Sequence, residues 1–563
     1  MKKLLLVFSI ANCAFSITNS FAQQTRSYII DKALAPREHS VDMQHLKLEV
    51  SFEPQKGLVK GKVTHYFSPL QQKVDSIFLD GIKIKYSSVK LNGKDVRYKT
   101  EDNGITIFPS PALTWGTKDS LTLIYEATPG KGIYFIGWND PNNLSRKQIW
   151  TQGQGIDNRH WIPCYDESND KLTTEVFVTF DSEYKVLSNG TKMEEKDNGN
   201  NTKTWHYKMQ HPHTTYLMML GIGKYEIEER KSASGVPIHL WYYTEWKDRV
   251  EPTYRYSVEM FDFFEKEIGV PYGWESYSQI PVQDFMYGAM ENTTATLFGD
   301  FFFVDNRSYV DRNYVAVNAH ELAHQWFGDL VTERSAAHHW LQESFATHYN
   351  LTYEREVFGQ DHFDWARRNN VNAALAASKA DKKPIAHSEA GSPRHYPKGS
   401  IVLQMMKYVV GREGYNKSIK HYLEKHKYQN VDSEDLLVAF HETLGKSLDW
   451  FWEEWVYKGG EPHYVVSYRE ETENAFPASM QGKQQTVFSV SQEHELSDVV
   501  GLFKMPIVFE VHYTDGTKDS KTVWVENKHH EVKVENAASK KVSFVLFDPN
   551  SDCLLYTSDA ADE

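Results

Sequence analysis

The hydrophobic period changes twice along this chain. From about residue 40 to 228 apolar residues alternate: Leu46, Leu48, Val50 and Phe52 take every second position, as do Leu121, Leu123 and Tyr125. A period of two puts such side chains on one face of a strand and leaves the other face to water. Asn92-Gly93, Asn103-Gly104 and Asn189-Gly190 punctuate these runs with tight-turn residues. From about 250 to 460 the period becomes helical. Leu436, Leu437, Phe440 and Leu444 share a face between a cap at Asp432 or Ser433 and a stop at Gly445, and Ile401, Leu403, Met405, Met406 and Val409 fill another helix between Pro397 and Gly411. Beyond Gly459-Gly460-Glu461-Pro462 alternation returns at Ile507, Phe509, Val511 and Tyr513, turns at Asp515-Gly516, and runs back through Thr522 to Val525. The pattern predicts a multidomain α+β protein: an N-terminal β-domain over 23–228, a helix-rich middle over 229–462 and a smaller β-domain over 463–552. At about 150 residues per domain, 563 residues leave room for all three.

The two ends read differently from the rest. Lys2 and Lys3 precede an apolar run from Leu4 to Phe15, and Ser20-Phe21-Ala22 supplies small residues for a cut before Gln23. Residues 1–22 therefore read as a signal peptide, and the protein is expected to be exported, periplasmic or secreted. Asn12 argues against lipid attachment at Cys13, and no later run is apolar enough for a transmembrane anchor. Cys553 to Glu563 follows a strand-like run and the turn Asp548-Pro549-Asn550, and it reads as the translation of a sequencing-library adapter. With the leader and this tail set aside, Cys164 is the one cysteine left, so the fold rests on its core and not on disulfides. Lys and Arg number 62 against 76 Asp and Glu, a net charge of −14 that argues against nucleic acid as a partner.

His320-Glu321-Leu322-Ala323-His324 carries chemistry. Two histidines four apart stack on one helical face and reach a single metal ion, while Glu321, rotated by about 100°, stands beside that ion as a base for water. Chance yields on the order of 0.1 such pentads in a chain of this composition, so the pentad alone is moderately specific. Eighteen residues separate His324 from Glu343, which lies in Trp340-Leu341-Gln342-Glu343-Ser344 at the start of another helix-like run. A His, His, Glu set leaves the fourth tetrahedral position open, the arrangement of catalytic zinc; cobalt or manganese could take the same donors. His338 and His339, between the ligands, read as loop-packing residues.

With Gly288-Ala289-Met290-Glu291-Asn292 about thirty residues before the pentad, the chain resembles the zinc aminopeptidases related to aminopeptidase N and the leukotriene hydrolase. The likeness runs from about residue 40 to 550 and includes Trp452 to Trp455 and Gly460-Glu461-Pro462. It implies a saddle-like N-terminal β-domain, a thermolysin-like α/β catalytic domain and a small C-terminal β-sandwich. It implies one Zn2+ per chain on His320, His324 and Glu343, with Glu321 as general base and Tyr396 stabilising the oxyanion. It also implies that Glu291 and Gln154 bind the free amine of a peptide while Gly288, Ala289 and Met290 align its backbone. Peptides with a free N-terminus are the expected substrates. An endopeptidase or epoxide hydrolase on the same scaffold, or a peptide-binding protein without turnover, are the alternatives. Ser344 stands where such relatives usually have Gly, Gln342 where Asn is frequent, and Asp329 where Asn is often found; these departures are expected to alter loop shape and ligand basicity rather than the ligands.

Overall fold

The computed structural model describes residues 29–472, 484–536 and 540–559, so the leader expected at 1–22 lies outside the described residues. Four long strands, β1 (Val41–Glu53), β2 (Leu58–Pro69), β3 (Asp119–Ala127) and β4 (Lys171–Asp181), make the middle of a nine-stranded sheet in the order β4–β1–β2–β3. Leu48 pairs with Val63 on antiparallel β2 and with Val176 on parallel β4. Leu46, Leu48, Val50, Leu121, Leu123 and Tyr125 are buried, as the alternation requires. A register shift between Met43 and His45 lets both Met43 and Leu46 reach the core in spite of their odd spacing. At the first hairpin signal Asn92 and Gly93 have φ of 50° and 78°, the left-handed pair that a two-residue turn demands.

The middle of the chain is built on a mixed five-stranded sheet. β5 (Glu226–Lys231), β6 (Pro237–Tyr242), β7 (Tyr277–Val282), β8 (Ala289–Met290) and β9 (Ala295–Gly299) lie in the order β5–β6–β7–β9–β8, with β6, β7 and β9 parallel and both edges antiparallel. The domain boundary expected at 228 falls inside β5. Helices α1 (Ser257–Ile268), α2 (Val315–His324), α3 (Trp340–Phe358), α4 (Gly399–Val410) and α5 (Ser433–Leu444) pack beside it. Phe327, just past α2, stacks on Phe345 of α3 with ring centroids 4.3 Å apart, which fixes the two helices against each other. Asp432 accepts from the Glu434 and Asp435 N–H groups and Asp435 returns the bond, a capping box that contributes about 1 kcal/mol to α5. The helix expected from Pro397 begins instead at Gly399, after a wide π-type turn over Arg394–Lys398. Pro397 has no N–H to give and its ring crowds the preceding turn, so the backbone widens there.

Two sheets close the chain. β10 (His463–Thr472), β11 (Gln484–Gln492) and β14 (His529–Glu535) pair in one, and β12 (Met505–Tyr513), β13 (Lys518–Val525) and β15 (Val542–Phe547) in the other. Tyr464, Phe488, Ile507, Phe509, Val511 and Val532 are buried in this part. Cys553 and Leu554, in the stretch that reads as an adapter, are buried as well, and Tyr556–Asp559 runs parallel to β10. Among the described residues no helix is long and apolar enough to cross a membrane.

Candidate active site

The pentad forms about the last turn and a half of α2 and places both imidazoles on one side. His320 Nε2 lies 3.0 Å from His324 Nε2, and Glu343 Oε2, from the first turn of α3, lies 3.2 Å from the former and 3.4 Å from the latter. A tetrahedral metal with bonds of about 2.0–2.1 Å has ligand-to-ligand edges of about 3.3–3.4 Å, so these three atoms outline one face of such a site. The donors are held from behind. His324 Nδ1–H donates to the Phe327 carbonyl at 2.9 Å, which turns Nε2 towards His320 and Glu343 and makes it the nitrogen that binds a metal once the ring is neutral. That loop passes close at Gly328, with φ 134°, where a Cβ would stand 3.2 Å from His324 Nδ1.

Glu291 and Glu321 face the same space. Their carboxylate oxygens and a His324 nitrogen all lie within 4.8 Å of one another, and Glu291 Oε1 and Glu321 Oε2 are buried without a hydrogen-bond partner. Burial pushes the Glu321 carboxyl well above its ordinary range; His324 opposes this, and Glu291 and Glu343 add to it. Burial also raises Glu291, again against His324. For His324 burial favours the neutral ring, but Glu291 and Glu343 outweigh it and push the pKa up to about 10. Glu343 goes the other way: burial opposes its charge, yet His324 and hydrogen bonds from three histidines hold it well below the usual carboxylate range. Such a concentration of displaced carboxyl and imidazole groups marks a chemical site.

Glu291 follows edge strand β8, whose Ala289 and Met290 pair on one side only, with Phe298 and Leu297 of β9. Gly288 turns into it with φ 88°. Asn292, which begins an Asn-Thr-Thr glycosylation pattern, is fully buried. Tyr396 sits in the wide turn with its ring parallel to His320, the centroids 5.6 Å apart, and burial together with Glu343 and Glu291 pushes its phenol far up, so it is a neutral donor. Two motifs near the end of the catalytic part explain each other: Lys398 Nζ, 1% exposed, donates to Glu461 Oε1 at 2.8 Å and to the Gly460 carbonyl at 3.0 Å. Gln154 lines a cavity of about 790 Å³ with Tyr216, Glu333, His339 and Tyr396.

The family model described as "Peptidase family M1 domain" matches residues 253–455, and that of the "Peptidase M1 N-terminal domain" matches residues 40–217. The chain belongs to peptidase family M1. Among similar proteins, the leucyl aminopeptidase of Saccharolobus solfataricus is 26% identical over 522 residues, which is 88% of this chain and 62% of that one. Aminopeptidase M1 of Arabidopsis thaliana is 29% identical over 60% of this chain and 39% of its own length, and the glutamyl aminopeptidase of Bos taurus 27% over 55% and 34%. The chain thus spans about three fifths of the first of these relatives and less of the others.

Three residues of this M1 site carry more than the sequence reading gave them. His339 is no mere packing residue: its Nε2 lies 3.3 Å from Glu343 Oε1 and its Nδ1 3.2 Å from Glu333 Oε1, whereas His338 does pack, bonded to Ser433 Oγ. Gln325, directly after the pentad, ties it to the Glu291 segment by donating to the Glu291 carbonyl at 3.0 Å and accepting from the Thr294 N–H at 2.9 Å. An amide directly after the second histidine of the pentad was the available signal. Ser344 donates to the His395 carbonyl at 2.6 Å, so the departure from Gly joins α3 to the turn that carries Tyr396.

Proposed function

We propose that the chain is an exported zinc aminopeptidase that removes N-terminal residues from peptides. One observation carries the reading: Glu291, with its Oε1 buried and unpartnered, stands beside Glu321 and the His324 corner of the His320, His324, Glu343 triangle. Two neutral imidazoles and a carboxylate are a borderline-soft donor set that suits zinc, with room left for water and substrate. When bound, zinc supplies Lewis acidity towards the scissile carbonyl and the attacking water. Glu321 takes the proton from that water and later hands it to the leaving amine. Tyr396 donates its O–H to the developing oxyanion and brings no net charge of its own. Glu291 pairs with the substrate ammonium and Gln154 adds a hydrogen bond from the cavity wall. Gly288, Ala289 and Met290 present an open strand edge along which an extended peptide aligns. The relatives are named for leucyl and glutamyl substrates, so the preferred first residue is left open by those names. Export rests on the basic start and apolar run of residues 1–22.

Amino-acid release from a peptide and from its N-acetylated twin tests this. The free peptide alone should be cleaved; Glu321→Gln should cost about 10²–10⁴-fold in kcat, and Glu291→Ala should raise KM at least about 10-fold. Equal cleavage of both peptides would sink the amine clamp and favour an endopeptidase. Tight zinc with no turnover on either would favour a binding protein.

A further inference from the structure

Glu343 spends its two oxygens on different neighbours. Oε2 faces the two histidine ligands, while Oε1 faces His339 Nε2 at 3.3 Å. His339 immediately precedes α3 and Glu343 lies four residues on, so the two side chains share a helical face. The far nitrogen of the same ring is engaged by Glu333 Oε1 at 3.2 Å. Glu333 is itself placed by the short strand Thr332–Glu333, which pairs in parallel with Asn430–Val431, and by its N–H donating to Gln342 Oε1. Glu333 is 7% and Glu343 2% exposed, so both carboxylates are buried, while the His339 side chain between them is 24% exposed and lines the cavity. His395, the neighbour of Tyr396, closes the other flank of the ring with an edge-on contact at 5.2 Å.

We propose that His339, aimed by Glu333, is a positioning residue that restrains Glu343 to bind the metal through Oε2 alone. The inference rests on the zinc reading of the site. A carboxylate with both oxygens free can swing to chelate the ion, which fills the coordination position that water and substrate need. A donor fixed on Oε1 removes that option and keeps the other oxygen aimed at the histidine pair. Outer hydrogen bonds to metal ligands are worth roughly 10- to 100-fold in metal affinity, and here two such bonds are in series. A ring that only filled space between α3 and the loop before it would need neither nitrogen engaged.

The test reads metal rather than turnover. Zinc dissociation into an excess of chelator is followed for the parent, His339→Phe, His339→Gln and Glu333→Gln, and the visible spectrum is recorded for each after loading with Co2+. His339→Phe keeps a ring and loses the donor; it should release zinc at least about 10-fold faster and show the weaker absorption of a five-coordinate ion. His339→Gln retains an N–H and should recover part of the loss, and Glu333→Gln should fall between it and the parent. Thermal unfolding of the metal-free forms separates this from general loosening. If His339→Phe does not fold, Glu333→Gln reads the same chain of bonds from its far end. Parent-like zinc release and cobalt spectra in these variants would overturn the positioning role and leave the zinc reading standing. A parent protein that holds no zinc would overturn both.

Discussion

The donor triangle takes its three atoms from two neighbouring helices, His320 and His324 from α2 and Glu343 from the first turn of α3, whereas the cavity beside it collects Arg37, Gln154, Tyr216, Glu333 and Tyr396 from five separate stretches of chain. The first is a product of helical period and one helix packing. The second exists only once the N-terminal β-sheets, the loop before α3 and the turn before α4 have docked. The donor set is therefore written locally in this protein and the cavity is assembled from afar.

Tyr396 belongs to both regions, since it lines the cavity and stacks on His320. Tyr396→Phe should assign it. Removal of an oxyanion donor lowers kcat by about 10²–10³ with KM little changed, and zinc content should equal that of the parent. A variant that mainly raises KM would place Tyr396 with the wall and break the division between the two regions.

The same division explains what the sequence discloses. The pentad is legible because four residues make just over one helical turn, and Glu343 because it opens the next helix-like run at a short distance from the pentad. His339 lies among those readable residues, yet its meaning depends on Glu333, from a two-residue strand that periodicity does not announce. Lys171 is more remote still: on β4 of the N-terminal sheet, it donates to the carbonyls of Asp329 at 2.8 Å and Leu330 at 3.1 Å, just past the pentad. Alternation placed Leu46, Leu48 and Val50 in the core, and the Asp432 and Gly445 signals bounded α5, because each is a short-range rule. The start of α4 slipped to Gly399 because Pro397, which reads as a helix opener, here widens the turn before the helix instead.

If the cavity depends on the N-terminal sheets, acid should weaken that dependence in a predictable window. His65 is buried with Nε2–H donating to the Pro163 carbonyl at 2.8 Å, and burial pulls its pKa down to about 4. An unfolded chain binds this proton near pH 6.5, so between those values the unfolded state holds more protons and stability rises with pH. The contribution, on the order of 3 kcal/mol, is whole above pH 6.5 and is lost as pH falls towards 4. His65→Gln keeps the N–H donor and removes the titration; its acid-unfolding midpoint, followed by tryptophan fluorescence, should move to lower pH. An unmoved midpoint would mean that other groups govern acid loss of the N-terminal sheets.

The smallest effect concerns the bond that joins α3 to the Tyr396 turn across fifty residues of chain. Ser344→Gly removes the bond to the His395 carbonyl, worth about 1 kcal/mol, and adds about 1 kcal/mol of helix cost. Steady-state kinetics should show kcat lower by only about three- to tenfold, and zinc affinity should be unchanged, because the donor triangle does not use this bond. Ser344 fits only because Gly399 faces it: a Cβ at residue 399 would collide with Ser344 Oγ. Gly399→Ala should therefore be costly in the parent and tolerated when combined with Ser344→Gly, and unfolding of the two single variants and the double should show that coupling. Additive losses would mean that the turn finds its position without α3, and that Tyr396 is placed from the cavity side.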